Sequence, residues 1–358
     1  MVSNWEHGVR QPNGLQLEKL AAIYRLSVDE LVQGGNRHRP DFERLMFRDA
    51  GSRLGARGKY EIQRFLAFLD SYSGFLAALG EPPGLVRSPF SVVEGFTSRE
   101  DVRRKAAEAR NFFALGTGPV GDPAGLSDLY GITVYRVPSG QDLKETVSGA
   151  FLPHDRAGFA ILLNGETTPG RQQFTLAHEL GHALFQGDKL YVAYYGRREA
   201  AERFADAFAA EFLAPTPALR AAVEGFRLTK VRDAEVVVHL QRLFRVSYAM
   251  MLVRLRAAGL ITGEDLERFR SVRPTHLAER LGYSLDPDES MRQSGHWDIS
   301  RYPRRFLRLL RSAFHEGAIT LSGAAAMTGL VHEDIEDFLA DEPAPDVLGD
   351  YEYLDAVI

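Results

Sequence analysis

FTLAHELGHALF, spanning Phe174–Phe185, carries two histidines four residues apart, with a glutamate directly after the first. On an α-helix, residues four apart sit about 40° from one another around the axis and one turn along it. His178 and His182 can therefore close on one ion while Glu179 leans toward a water on that ion. Zinc in a hydrolase takes three protein ligands and keeps one position open for that water. The ion lowers the water's pKa toward neutrality, and the glutamate takes its proton as the water attacks a carbonyl. Gly181, beside His182, suits close packing at such a site, and Thr168 with Pro169 supplies a cap and a first-turn proline for the helix. Taken alone, the pattern also fits an amphipathic helix whose histidines only pack or face solvent.

A second helix shifts the balance. EAAERFADAFAAEFLAP (199–215) places Glu202 and Asp206 four apart. A glutamate there can be the third ligand, and an aspartate one turn on can accept the free N–H of a ligand imidazole. Glu199 and Glu211 compete for the ligand role, but only Glu202 has a carboxylate four residues later. Without the histidine pair upstream, Phe204, Phe208 and Phe212 would mark this helix as core packing with solvated charge.

Bulk composition sets the frame. The 358 residues are 45% hydrophobic and 25% charged, enough for two or three domains with cores of their own. A net charge of −5 gives no global basic field for nucleic acid, so any such contact would be local. With no cysteine, disulfides and thiolate ligands are excluded, and a metal must be held by imidazole and carboxylate. The first residues lack the basic and apolar regions of a secretory signal. No apolar run approaches the roughly 18 residues of a membrane span. The expectation is a cytoplasmic chain with no membrane partner.

Along the chain, residues 1–34 read as helical with a turn at Gly8–Gly14, and GGNRHRP (34–40) and EPPGLVRSP (81–89) read as linkers. A helix is predicted at 99–115 and a strand at 131–137. TVSGAF (146–151) and FAILLN (159–164) flank a hairpin-like connection. FAILLN is either an edge strand able to pair with extended substrate or a buried core strand. Tyr191, Tyr194, Tyr195 and His239 are the nearest candidates for oxyanion stabilisation, with no motif to select among them. Beyond residue 213 the pattern is helical. Residues 331–358 hold ten Asp or Glu and no Lys or Arg, the composition of a solvated acidic tail.

FTLAHELGH followed by E-x-x-A-D-x-F-A-x-E-F-L-x-P resembles the ImmA/IrrE family of metallopeptidases. The likeness covers about 100–225 and departs where the family motif commonly ends L-L-M-P, here Phe212-Leu213-Ala214-Pro215, a packing difference that leaves the ligands alone. It implies His178, His182 and Glu202 as ligands of one catalytic zinc ion, Glu179 as general base, and a gluzincin-like endopeptidase. His₂Glu sites accept several divalent ions, so manganese is the other metal to consider. The implied fold is α+β and mainly helical: a thermolysin-like core of two zinc helices and a small sheet, flanked by helix-turn-helix-like units.

VSNWEHGVRQP resembles the C-terminal part of an XRE-type helix-turn-helix, with Ser3 and Asn4 on its recognition helix as DNA-contact candidates. The preceding helices of that fold are missing, so DNA is a partner only if the head is completed upstream. F-x-V-S-x-x-x-M-x-x-R-L within 226–275 resembles the helical unit that follows the peptidase in this family, with Val246 and Ser247 starting its second helix and Met250 and Met251 in its core. Residues 299–339 resemble another helix-turn-helix-like unit. There Arg301, Arg304, Arg305, Arg308 and Arg311 form either a binding face for DNA, an acidic partner or the tail, or a solvated face.

The expected organisation is a partial helix-turn-helix (1–34), a helical linker region (35–98), the peptidase domain (99–225), the following helical unit (226–275), a C-terminal helical domain (276–342) and an acidic tail (343–358). The expected function is zinc-dependent cleavage of a helix-turn-helix repressor or related regulator. The alternatives are a regulator or antitoxin-like protein whose peptidase fold senses or docks without cutting, and a mobile-element protein that works by docking. A homodimer stays open.

Overall fold

The computed structural model describes residues 13, 14, 16, 56–93, 95–96, 98–137, 147–165, 167–186, 191–194, 200–283 and 299–340. The chain divides into two compact units, Met1–Arg44 and Leu45–Ile358. In the first unit, Asn13 N donates to Gln16 Oε1 at 3.0 Å and Gln16 N donates to Asn13 Oδ1 at 2.9 Å. This reciprocal exchange satisfies two amides at the start of a helix at Gly14. Ser3, Asn4 and the acidic tail lie outside the described residues.

The second unit is α+β and mainly helical, as the sequence leads one to expect. In chain order it contains α1 (Ala56–Leu79), α2 (Arg99–Phe112), α3 (Pro123–Leu129), β1 (Thr133–Val137), β2 (Val147–His154), β3 (Gly158–Asn164), α4 (Pro169–Phe185), β4 (Tyr191–Tyr194), α5 (Ala200–Leu213) and α6 (Thr216–Gly225). There follow α7 (Ala234–Phe244), α8 (Tyr248–Ala257), α9 (Gly263–Arg270), α10 (Pro274–Arg280), a 3₁₀ turn (Ile299–Arg301), α11 (Arg304–His315), α12 (Leu321–Thr328) and α13 (His332–Ala340). No single helix among the described residues is long and apolar enough to cross a membrane.

The four strands lie in the order β1-β3-β2-β4. β1 runs parallel to β3, with Tyr135 opposite Leu162, and β2 runs antiparallel to both β3 and β4. All seven residues of β3 are buried. FAILLN is therefore an interior strand with both backbone edges paired, so it cannot accept a substrate strand. The sheet's edges are β1 and β4. A continuous apolar run without polar alternation is what burial on two faces requires.

Alternate side chains point to opposite faces of the sheet. Val134, Phe159, Ile161 and Leu163 belong to the main core, together with Leu176, Leu180 and Leu184 of α4 and Phe204, Phe208 and Phe212 of α5. That core continues without a break into Val237 and Leu240 of α7, Met251 and Leu255 of α8, and Phe269 of α9. On the opposite face Tyr135 packs on Phe65 and Phe68 of α1, with ring centroids 5.5 and 5.0 Å away. Phe306 of α11 meets Phe68 edge-on at 5.1 Å and Tyr72 at 5.5 Å. Helices from both ends of this unit thus cover the back of the sheet.

The arginines of 299–311 hold this cover in place. Arg301 is buried, pairs with Glu61 at 3.0 Å and lies over the Tyr135 ring at 5.4 Å. Arg304 pairs with Asp122 at 2.6 Å, and Arg305 with Glu81 at 3.1 Å and the Pro82 carbonyl at 2.9 Å. Arg311 donates to Phe338 O at 2.9 Å and lies 4.2 Å over that residue's ring. Arg301, Arg305 and Arg311 are thus engaged within the chain, whereas Arg304 and Arg308 are exposed.

α7 and α8 meet at 104° across a short break. Arg245 takes a left-handed conformation there (φ 52°), and the Ser247 side chain accepts from Met250 N to start α8. Met251 is fully buried and Met250 packs against the core, as their pattern leads one to expect. Phe306 fills the back-face aromatic cluster, so Phe306→Ala is expected to lower the unfolding free energy by about 3–5 kcal/mol. A urea titration followed by fluorescence measures this, and a change below about 1 kcal/mol would show that α11 does not anchor the sheet.

Candidate metal centre

Two helices build the site. α4 starts at Pro169, whose ring fixes a helical φ and whose missing N–H costs nothing in a first turn. Thr168 occupies the cap position without a side-chain cap bond. Its carbonyl instead accepts from Arg171 N at 2.8 Å and Gln172 N at 2.9 Å. The buried half of α4 runs from Thr175 to Phe185 and includes His178, Glu179 and His182. α5 packs against it, and Gly181 faces Ala205 and Phe208 of α5. A Cβ there would stand 2.9 Å from Phe208 Cδ1 and 3.4 Å from Ala205 Cα. Glycine thus permits the helix contact that brings Glu202 to the histidines.

His178 Nε2 and His182 Nε2 are 3.0 Å apart, and Glu202 places Oε2 3.4 Å from the first and Oε1 3.5 Å from the second. Among the described residues these three form the group with metal-ligating geometry, one ligand atom from each within 4.8 Å of the others. A tetrahedral ion with bonds of about 2.0–2.2 Å sets its ligand atoms roughly 3.3 Å apart. The donor set and its spacing therefore fit a zinc-sized cation.

The outer ring nitrogens are engaged too. His178 Nδ1 lies 2.9 Å from Asp206 Oδ1, so the carboxylate receives the Nδ1 proton and Nε2 faces the cluster. Asp206 is 63% exposed, which places this end of the site at the protein surface. His182 Nδ1 faces Gln186 Oε1, and Gln186 Nε2 donates to Ala201 O at 3.2 Å. Gln186 was not picked out in the sequence, although it lies four residues after His182 and hence on the same helical face.

Burial and neighbouring charges together set the ionisation of the cluster. Burial lowers the His178 imidazole, but hydrogen bonds to Asp206 and Glu202 and the nearby Glu179 charge outweigh it and raise the pKa to about 10. For His182, burial and the charge of His178 act together and lower it to about 3, against the Gln186 hydrogen bond. Burial raises the Glu179 carboxyl to about 8, helped by Glu202 and opposed by His178 and the Phe151 backbone N–H. Glu179 is fully buried, and neither carboxylate oxygen has a hydrogen-bond partner of good geometry. An uncompensated buried carboxylate is costly. One positive charge at the cluster, a proton or better a divalent ion, offsets it.

Glu211 and His239 are engaged elsewhere. Glu211 is buried and accepts from Thr216 N at 2.7 Å and Thr216 Oγ1 at 3.1 Å, while pairing with Arg254 at 2.6 Å. It joins α5 to α6 and α8 and is not at the metal cluster. His239 Nδ1 is hydrogen-bonded to Tyr283 Oη at 2.6 Å in the helical part beyond α6. Tyr191 and Tyr194 are on edge strand β4, paired through their backbones with Phe151 and Val147 of β2. Tyr195 and Glu199 lie outside the described residues.

Residues 130–256 match the family described as the IrrE N-terminal-like domain. The radiation response metalloprotease IrrE of Deinococcus radiodurans is 39% identical over 95 residues, 25% of this chain and 28% of that protein. Its namesake in Deinococcus deserti is 43% identical over 63 residues, 18% of this chain and 20% of that protein. The chain thus carries a domain of the ImmA/IrrE family, and the matched part spans about a quarter of the length of these relatives.

β2 passes directly over Glu179. At Gly149 a Cβ would meet Thr175 Cγ2 at 2.7 Å and Glu179 Oε1 at 3.0 Å. Gly149→Ala is therefore expected to destabilise the protein by about 1–3 kcal/mol through overpacking and to push the Glu179 carboxylate aside. Denaturant unfolding and a crystal structure of the variant measure both, and an unmoved Glu179 at wild-type stability would contradict the close approach.

Proposed function

We propose that this chain, with its ImmA/IrrE-family domain, is a zinc-dependent endopeptidase of gene regulation whose substrate is a helix-turn-helix repressor or related regulator. The observation that carries the reading is Glu179. It is fully buried, its carboxylate oxygens lack a hydrogen bond of good geometry, and it adjoins a converging pair of imidazoles. A structural metal site has no use for such a carboxylate, whereas hydrolysis does. His178, His182 and Glu202 would hold the ion, and Asp206 would orient His178. Bound zinc supplies Lewis acidity toward water and the scissile carbonyl.

The protein's own groups handle the protons. Glu179 takes one from the attacking water and returns it to the departing amine nitrogen. Burial raises the Glu179 carboxyl above the ordinary carboxylate range, which makes its carboxylate a stronger base. The surrounding core of α4, α5 and the sheet excludes bulk water from this carboxylate, so its charge acts in a low-dielectric setting. Substrate choice is supported by the likeness of 226–275 and 299–339 to helical regulatory units and by the "radiation response" role in the relatives' name. Manganese remains the competing metal for a His₂Glu set.

Purified protein loaded with zinc and incubated with helix-turn-helix repressors is expected to cut one of them at a single bond. Glu179→Gln, nearly isosteric, is expected to slow cleavage by about 10²–10⁴-fold while still binding zinc. Equal cleavage by the variant would remove Glu179 from the chemistry. Stoichiometric zinc with no cleavage of any repressor would favour a sensor or docking protein instead.

A further inference from the structure

We propose that Gln186 is a positioning residue that sets the tautomer of His182 and fixes the spacing of the two helices that carry the ligands. The inference rests on the metal-centre reading above. Gln186 is the C-cap residue of α4 and is buried. Its backbone N–H donates to His182 O at 3.0 Å, so main chain and side chain both hold on to the same histidine.

The orientation of the amide follows from its far end. Ala201 O is a carbonyl and can only accept, so the Gln186 group 3.2 Å from it must be the NH₂. That leaves Oε1 facing His182 Nδ1, and an amide oxygen can only accept. The imidazole must therefore carry its proton on Nδ1 and present its Nε2 lone pair to His178 and Glu202. A backbone carbonyl on α5 thus dictates the tautomer of a histidine on α4, through one buried amide.

Chemistry explains why this partner is neutral where that of His178 is charged. Asp206 is largely exposed, and water screens its charge. Gln186 is deeply buried, in a cluster that already holds Glu179 and Glu202. A further buried carboxylate there would leave negative charge that a single divalent ion does not neutralise. An amide orients the ring without adding charge.

The same residue ties the ends of two helices together. Ala201 directly precedes Glu202, so the Gln186–Ala201 bond connects the ends of α4 and α5 beside both His182 and Glu202. An extended segment clamps this junction from outside. Val93 N donates to Phe185 O at 2.5 Å, Phe96 N to Ala200 O at 2.9 Å, and Ser88 Oγ to Leu184 O. Each acceptor lies one or two residues before Gln186 or Ala201. The segment before α2 therefore braces the framework that Gln186 bridges.

Gln186→Met keeps the side-chain length and removes both hydrogen-bonding ends. Gln186→Glu, protonated in this buried position, can present O–H to Ala201 O and an acceptor oxygen to His182. Zinc affinity is measured by competition with a chromophoric chelator, and ligand geometry by the visible absorption of the Co²⁺-loaded protein. The Met variant is expected to bind zinc about 10–100-fold more weakly and to shift the cobalt bands. The Glu variant should restore the bands and bring affinity to within a few-fold of wild type. A folded Met variant with wild-type affinity and spectrum overturns the proposal. If the Met variant does not fold, the Glu variant decides alone: wild-type bands support the proposal, and altered bands in a folded protein overturn it. Wild-type protein that takes up neither metal ion overturns the metal-centre reading itself, an outcome distinct from the variants matching wild type.

Discussion

Two imidazole nitrogens 3.0 Å apart, with a carboxylate about 3.5 Å from each, make an arrangement that electron pairs alone would drive apart. Positive charge at the centre removes the repulsion, and the surroundings can be understood as means of holding the donors where that charge belongs. Asp206 and Gln186 occupy the outer nitrogens, so neither ring is free to rotate. Gly181 lets α5 approach closely enough for Glu202 to complete the set. Gly149 does the same for β2 over Glu179. Preorganisation of this kind places its cost in folding, where a core of packed phenylalanines can meet it.

That core also accounts for residues a catalytic reading would leave aside. In E-F-L-x-P, Glu211 is a buried anchor shared by Thr216 and Arg254, and Arg254 donates to Ala214 O as well. The network pins the end of α5 to α6 and α8. Phe212 belongs to the same core as α4. The motif thus combines two jobs on one helix, with the proposed ligand in its first turn and anchoring in its last. On the far side of the sheet, buried Arg301–Glu61 and the aromatic cluster around Phe68 and Phe306 join α1 to the C-terminal helices.

What the sequence revealed follows from the range of each interaction. His178, Glu179 and His182 are local, set by helical period, and Glu202 with Asp206 repeats the same spacing. The geometry brings His178, His182, Glu202 and Asp206 together. Strand order is different: FAILLN has the same composition whether interior or edge, and only the pairing with β1 and β2 decides. Gln186 escaped notice because a polar residue at a helix end usually only caps or meets solvent. The arginines of α11 looked free because their partners Glu81 and Asp122 lie about 180–225 residues earlier in the chain. Charge pairs of that separation have no signature in local pattern.

The central claim is that three side chains from two helices share one metal ion. X-ray absorption at the zinc edge of the loaded protein tests it most directly. One zinc per chain is expected, in a four-coordinate shell of nitrogen and oxygen at about 2.0–2.2 Å with outer-shell scattering from two imidazoles. That signal should fall to one imidazole in His182→Ala. A shell with no imidazole, or a wild-type spectrum retained in that variant, would contradict it.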